Sequence, residues 1–80
     1  RQELRDYVNQ IKSTAPCTDC GTSYPYFVMD FDHLGDKTDM ISKLVKLGGS
    51  KKLRDEIQKC EVVCANCHRF RSYNRIQAAK

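Results

Sequence analysis

Four of the five cysteines fall into two Cys-x-x-Cys pairs, Cys17 and Cys20 in "CTDC" and Cys64 and Cys67 in "CANC". Most of the chain lies between the two pairs. Closing both onto one ion therefore draws distant segments together and leaves few ways for the remainder to fold. Such a staple is needed, because 80 residues of which 40% are hydrophobic, with no tryptophan, lie near the lower limit for a self-supporting core. An odd cysteine count argues against a complete disulfide framework, and paired spacing favours metal in a reducing compartment. Two such knuckles suit tetrahedral zinc, bound to thiolate sulfur at about 2.3 Å and closed by four ligands. A closed site leaves no position for water or substrate, so this zinc is expected to fold the domain and do no chemistry. Buried cysteines or a redox pair are the alternative. Cys60, the leftover, reads as a small core residue.

Between the knuckles the patterning is that of one mixed unit. In "RQELRDYVNQIK", Leu4, Val8 and Ile11 recur at helical spacing with Tyr7 alongside, which predicts an amphipathic helix stopping before Pro16. "CTDCGTSYPYF" reads as a tight turn with Gly21 free to take positive φ after the second ligand. "YFVMDFDH" alternates and is rich in strand formers, which predicts a strand with Asp30 and Asp32 on one face and Phe31 and His33 on the other. After the polar loop "LGDKTD", Thr38 or Asp39 is the expected cap of a short helix through Leu47 that presents Ile41, Leu44 and Val45. "GGS" breaks it, and Ser50 is the expected cap of a second short helix to about Lys59 carrying Leu53 and Ile57. "CEVVC" reads as a strand entering the second knuckle. A final helix follows from Ala65, with Phe70, Tyr73 and Ile76 at helical spacing. No repeat, low-complexity segment or linker divides residues 1–80. They form one domain, with an N-terminal helix over 1–15 and a stapled core over 17–76.

The formal net charge of +4 counts the cysteines as neutral. Four thiolates and one zinc ion bring it to about +2, because metal-bound thiols are deprotonated. Distribution says more than the total. Seven of the fourteen basic residues lie in two clusters, Lys51, Lys52 and Arg54, then Arg69, Arg71, Arg75 and Lys80, whereas acids gather at Asp30, Asp32, Asp36 and Asp39. There is neither a membrane-length apolar run nor a signal-peptide pattern, so the expected setting is intracellular, a reducing cytoplasm. A chain that starts at Arg1 rather than Met is open to being a piece of a longer protein.

The only two histidines each sit beside something that fixes them: His33 ends a strand behind Asp32, and His68 opens a helix behind Cys67. Strand, loop, second strand and helix, with a knuckle at the strand–helix junction, bring both ends together. "CTDC", "FDH" and "CEVVCANCHR", in this order over residues 17 to 69, resemble the zinc-bearing branch of the HNH endonucleases. The resemblance implies an α+β fold: a small ββα-metal, treble-clef-like domain with flanking helices, stapled by a structural four-cysteine zinc. It also implies that His33 is the general base and that Asp32 and His68 hold a catalytic divalent ion. The implied activity is DNA hydrolysis, by an endonuclease or nickase, leaving 5′-phosphate and 3′-hydroxyl ends.

The chemistry is reasonable without the name. Phosphodiester hydrolysis needs an activated water and stabilisation of charge on phosphate and leaving oxygens. An imidazole exchanges protons with water near neutral pH. A sparse carboxylate–imidazole site suits Mg²⁺ or Mn²⁺ and tolerates other divalent transition metals. Asp30 is an additional ligand, a carboxylate supporting one, or a solvated strand acid. Arg69, and with it Arg71 and Arg75, is the expected phosphate contact on DNA, against the plainer reading of a wet helix face.

Two departures from the family pattern stand out. Its middle Asn, which pins the loop between the strands, is replaced by Lys59, so something else must do the pinning. Ser72 stands where some relatives carry another His, which leaves two strong protein ligands and predicts weak metal binding without DNA. A non-catalytic treble-clef module that binds nucleic acid with its basic helix is the rival reading, and a protein-interaction zinc ribbon the second. Base specificity, oligomeric state (monomer or dimer) and biological role have no signature in the chain.

Overall fold

Leu4 and Val8 on the first helix find their partners on two later helices: Val8, Leu44, Val45 and Leu53 form one apolar cluster, edged by Leu4, Phe31, Ile41 and Ile57. Burying a side chain such as Leu53, with no exposed surface, contributes about 1.5–3 kcal/mol. A second cluster, Cys17, Met29, Val63 and Cys64, is edged by Tyr24, Val28, Val62 and Cys67. Half of its centre is cysteine. Its apolar content is correspondingly small, and a bond across the thiols is the natural way to hold it.

The structure is a computed structural model that describes residues 2–35 and 39–79. Its elements run α1 (Gln2–Thr14), a 3₁₀ turn (Tyr26–Val28), β1 (Met29–His33), α2 (Ile41–Leu47), α3 (Ser50–Ile57), β2 (Cys60–Cys64) and α4 (Ala65–Ala78). This is the expected small α+β arrangement: one two-stranded antiparallel sheet with helices around it. Met29 pairs with Cys64, Asp32 with Glu61 and His33 with Cys60. The register ties the end of β1 that bears His33 to the start of β2, and its opposite end to the second knuckle. No helix among the described residues is long and apolar enough to cross a membrane.

The boundaries depart from expectation for local reasons. The strand starts at Met29 rather than Tyr26, because the chain after Pro25 closes a 3₁₀ turn, the Val28 N–H donating to the Pro25 carbonyl at 3.0 Å. β2 also ends at Cys64, so nothing remains for Tyr26 to pair with. α2 is capped by Met40 without a side-chain bond. Asp39 is instead paired with Lys43 at 3.3 Å, one turn on, and Thr38, like Asp36, lies outside the described residues. α2 closes on Gly48, whose φ of 77° is left-handed. Gly49 then serves as the cap of α3, so Ser50 is its first residue rather than its cap. α3 ends at Ile57, two residues before Lys59, whose carbonyl accepts from the Leu34 N–H at 3.0 Å. That bond pins the strand-to-loop junction right after His33. Gly21 takes the expected positive φ, 75°.

α4 buries no residue completely. Phe70, Tyr73 and Ile76 are all more than half exposed. What α4 does turn inward is Cys67, His68, Arg71 and Arg75, at helical spacing. Polar chemistry rather than apolar packing holds this helix to the sheet.

Candidate active site

The four cysteines come together. The Sγ atoms of Cys17, Cys20, Cys64 and Cys67 all lie within 4.8 Å of one another. Sulfurs about 2.3 Å from one tetrahedral ion sit about 3.8 Å apart, so the cluster accepts zinc with only a small contraction. Backbone donors already point at it: the Cys64 N–H reaches Cys17 Sγ at 3.3 Å, and the Cys67 N–H reaches Cys64 Sγ at 3.4 Å. Burial raises the Cys17 thiol, but N–H donors from Cys20, Cys64 and Asp19 outweigh it and bring it down to about 6. Cys67 is pushed up to about 12, first by its bond with the Cys64 sulfur and then by burial. Thiols this close do not all ionise without a cation among them, which is what the donor set suggests should be there. Cys60 stands apart from the four, half-buried, with its Sγ donating to the Glu56 carbonyl at 3.4 Å.

The first knuckle is fastened to the sheet. Thr18 gives both its N–H and its hydroxyl to the Val62 carbonyl, each at 2.9 Å. Asp19 receives a two-pronged grip from Arg71, Nε and Nη2 each at 2.7 Å. The same guanidinium donates to Asp32 at 2.7 Å and Glu61 at 2.8 Å. Asp32 and Glu61 are directly opposite across the ladder, a pairing of like charges that costs stability unless bridged. Arg71 is the bridge. Its three acids hold it firmly protonated, and its bonds hold the Asp19 carboxyl below the usual range.

Asp32 is 3% exposed. Arg75 grips it with both terminal nitrogens, at 2.8 and 2.7 Å, in addition to the bond from Arg71. The Arg75 bond, ahead of Arg71 and against the opposing effect of burial, brings this carboxyl down to about 2. Arg71 and Arg75, two of the three expected phosphate contacts, are thus engaged with acids. Arg69 is exposed and has no ion pair or side-chain hydrogen bond among the described residues.

His68 sits between the two strand acids, as the alternation of "DFD" requires. Its Nδ1 is 3.0 Å from Asp30 Oδ2, and its Nε2 is 3.5 Å from Asp32 Oδ1. A carboxylate only accepts, so Nδ1 carries the proton it gives to Asp30. In the neutral ring, Nε2 then turns a lone pair toward a carboxylate oxygen. Either a second ring proton or a cation belongs in that gap. Two donors about 2.1 Å from one ion lie about 3.0–3.4 Å apart in octahedral or tetrahedral geometry, close to the observed separation. A histidine whose other nitrogen donates to a carboxylate is also the usual form of a metal-ligating imidazole. Three guanidinium donors leave Asp32 room for about one further partner. The residues present therefore fit a sparse divalent site, with Asp30 orienting the ring.

His33 and His68 line one open hollow of about 510 Å³, together with Asp30 and Phe31. Arg5, Lys12 and Lys46 from α1 and α2 line it too, and Lys12 Nζ lies 5.4 Å from the centre of the Phe31 ring. The strand's alternation thus sends Asp32 toward α4 and His33 toward α3. Ser72 is exposed on α4.

Three acidic participants were missed in the sequence. Glu56 is 3% exposed and its Oε2 is 3.0 Å from His33 Nε2. The available signal was its position: with Leu53 and Ile57 it completes an i, i+3, i+4 stripe, where a lone acid on an apolar face calls for a partner. Asp19 and Glu61, the other acids on Arg71, carried no comparable mark. The hollow's basic residues on α1 and α2 also escaped notice, because they are far from the motifs.

No protein-family model matches the chain, and neither a curated protein nor a solved structure matches it. Function has to be argued from these residues alone.

Proposed function

We propose that this chain is a metal-dependent endonuclease of the HNH type, stapled by zinc at its four cysteines, that nicks DNA. The observation carrying this reading is that His33 and His68 border the same hollow while His68 Nε2 faces Asp32 Oδ1 across 3.5 Å. Filled by a cation, that gap would set a divalent ion beside a second histidine, an arrangement of use in hydrolysis and of none to a binding module.

In this reading the DNA strand lies over the hollow, with Arg5, Lys12 and Lys46 meeting backbone phosphates there and Arg69 meeting them further along α4. His33 accepts a proton from water as the water oxygen attacks phosphorus. The bond from phosphorus to the 3′ oxygen breaks, and that oxygen takes up a proton from solvent, leaving 5′-phosphate and 3′-hydroxyl ends. A divalent ion held by Asp32 and His68, Mg²⁺ or Mn²⁺ or a related metal, supplies positive charge for the phosphate and the leaving oxygen. Asp30 keeps the His68 ring turned for that duty. Arg71 and Arg75 hold Asp32 in place and do not reach for DNA. One such centre cuts one strand, so a double-strand break takes a dimer or a second event.

The test is a supercoiled-plasmid assay with Mg²⁺ or Mn²⁺. Wild type is expected to produce open circles, and His33→Ala to fall at least about 10²-fold, the scale of a lost general base. Intact plasmid with folded, zinc-bearing wild type rejects the enzyme in favour of the non-catalytic nucleic-acid-binding module.

A further inference from the structure

From its contact with His33, we infer that Glu56 is the positioning residue of the proposed base, holding the ring proton on Nε2 so that Nδ1 is the nitrogen that takes the proton from water. The inference rests on the nuclease reading for its catalytic part, and on geometry alone for the contact.

Glu56 Oε2 and His33 Nε2 are 3.0 Å apart, with side-chain exposures of 4% and 14%. An ionised carboxylate has no proton to give, so in the neutral ring the hydrogen of this bond belongs to Nε2. The lone pair is then on Nδ1, and among the described residues no side chain or backbone group bonds to that atom. A neutral imidazole left to itself exchanges between two tautomers, and only one of them offers a given nitrogen as base. A buried acceptor on the opposite nitrogen removes that choice and fixes the plane of the ring, as the carboxylate of a hydrolase triad does.

Glu56 is itself well placed for the task. Its other oxygen, Oε1, receives Lys59 Nζ at 3.1 Å, so the carboxylate is held from both sides. It projects from α3, a regular helix, and not from the loop that follows His33. The Lys59 carbonyl takes the Leu34 N–H at 3.0 Å, which fixes the backbone next to His33 from the same short segment. Residues 56 to 59 thereby do together what a single asparagine was expected to do: the side chain of Glu56 fixes the ring, and the backbone of Lys59 fixes the junction. Lys59, the departure in the motif, marks the segment but is not the orienting group.

The experiment has two arms on zinc-loaded protein. Long-range ¹H–¹⁵N spectra at a pH where the ring is neutral read the His33 tautomer without DNA. Wild type is expected to show protonated Nε2 and bare Nδ1, and Glu56→Gln intermediate shifts at both nitrogens. In the plasmid assay, Glu56→Gln is expected to lower kcat about 10–100-fold with KM within about twofold. Protonated Nδ1 or an averaged tautomer in wild type overturns the inference, and so does a Glu56→Gln protein with wild-type kcat. Should Glu56→Gln fail to fold, the wild-type spectrum still decides. A wild type that cuts nothing removes the catalytic role with the nuclease reading, whereas the tautomer result stands or falls by itself.

Discussion

The two polar centres of this molecule are built on opposite terms. At the cysteine end, four ligands of one kind converge, two of them all but buried, and the surrounding groups are backbone N–H donors. At the histidine end, acids and bases alternate: Asp30, His68, Asp32, Arg71 and Arg75 form one chain of contacts, and His33 with Glu56 forms another. The first arrangement suits a closed ion that stabilises the fold. The second leaves one imidazole nitrogen facing a carboxylate and another imidazole beside an open hollow. On the proposed reading the difference is a division of labour: identical ligands would make a staple, while mixed ligands held in tension by neighbours would make a place where charge can change hands.

Breaking the staple should have the largest effect. Structural zinc supplies folding free energy directly, on the order of 10 kcal/mol in small metal-dependent domains, more than a chain of this size has in reserve. Cys17→Ser is therefore expected to abolish the cooperative thermal transition in circular dichroism, while His68→Ala keeps it, with one zinc per chain by metal analysis. Equal loss of folding in both would erase the distinction between the two centres.

Asp32 probes how far the histidine end also stabilises. Its carboxyl lies at about 2 in the fold against an ordinary 3.8, chiefly through Arg75. A depressed folded pKa gives stability that is present above the unfolded value and is lost as pH falls toward the folded one. The ionised group thus adds about 2 kcal/mol at pH 7, roughly half of it gone by pH 3. Chemical denaturation should find Asp32→Asn less stable than wild type by about that amount at pH 7, with the gap closing as the solution is acidified. Comparing the two proteins at each pH cancels protonation of the cysteines, which they share. A gap independent of pH would mean that packing, not charge, is what Asp32 contributes.

The smallest effect separates neighbours on α4. Arg71→Ala should lower the melting temperature, because it uncovers the opposed acids Asp32 and Glu61. Arg69→Ala should leave melting unchanged, weaken DNA binding a few-fold and reduce the salt dependence by about one phosphate contact. Weaker binding from neither variant, or lower stability from both, would blur the contrast between an arginine held by acids and one left to solvent.

Much of this was legible in the sequence, and the rest was hidden for physical reasons. Cys-x-x-Cys spacing acts over four residues, so the knuckles could be read locally, and their meeting followed from zinc's four-fold demand. Period-two alternation in "DFD" correctly put Asp30 and Asp32 on one side, toward His68. Helix caps were misread because Asp39 is drawn to Lys43 and two glycines turn the chain without help. The roles of Arg71 and Arg75 depend on Asp19, Glu61 and Asp32, which are distant along the chain and meet only through the sheet register. Net charge could not reveal that two cations of the basic helix are already spent. Glu56 was half-visible: its place on an apolar stripe announced a partner, but only the fold names His33.

The division of labour is tested most directly by titrating zinc-loaded wild type and His68→Ala with Mn²⁺ and following the free-ion signal by electron paramagnetic resonance. Wild type should take up one Mn²⁺ per chain, weakly, without releasing zinc, and His68→Ala should take up none while keeping its zinc. Uptake that is the same in both proteins, or absent from both, would contradict it.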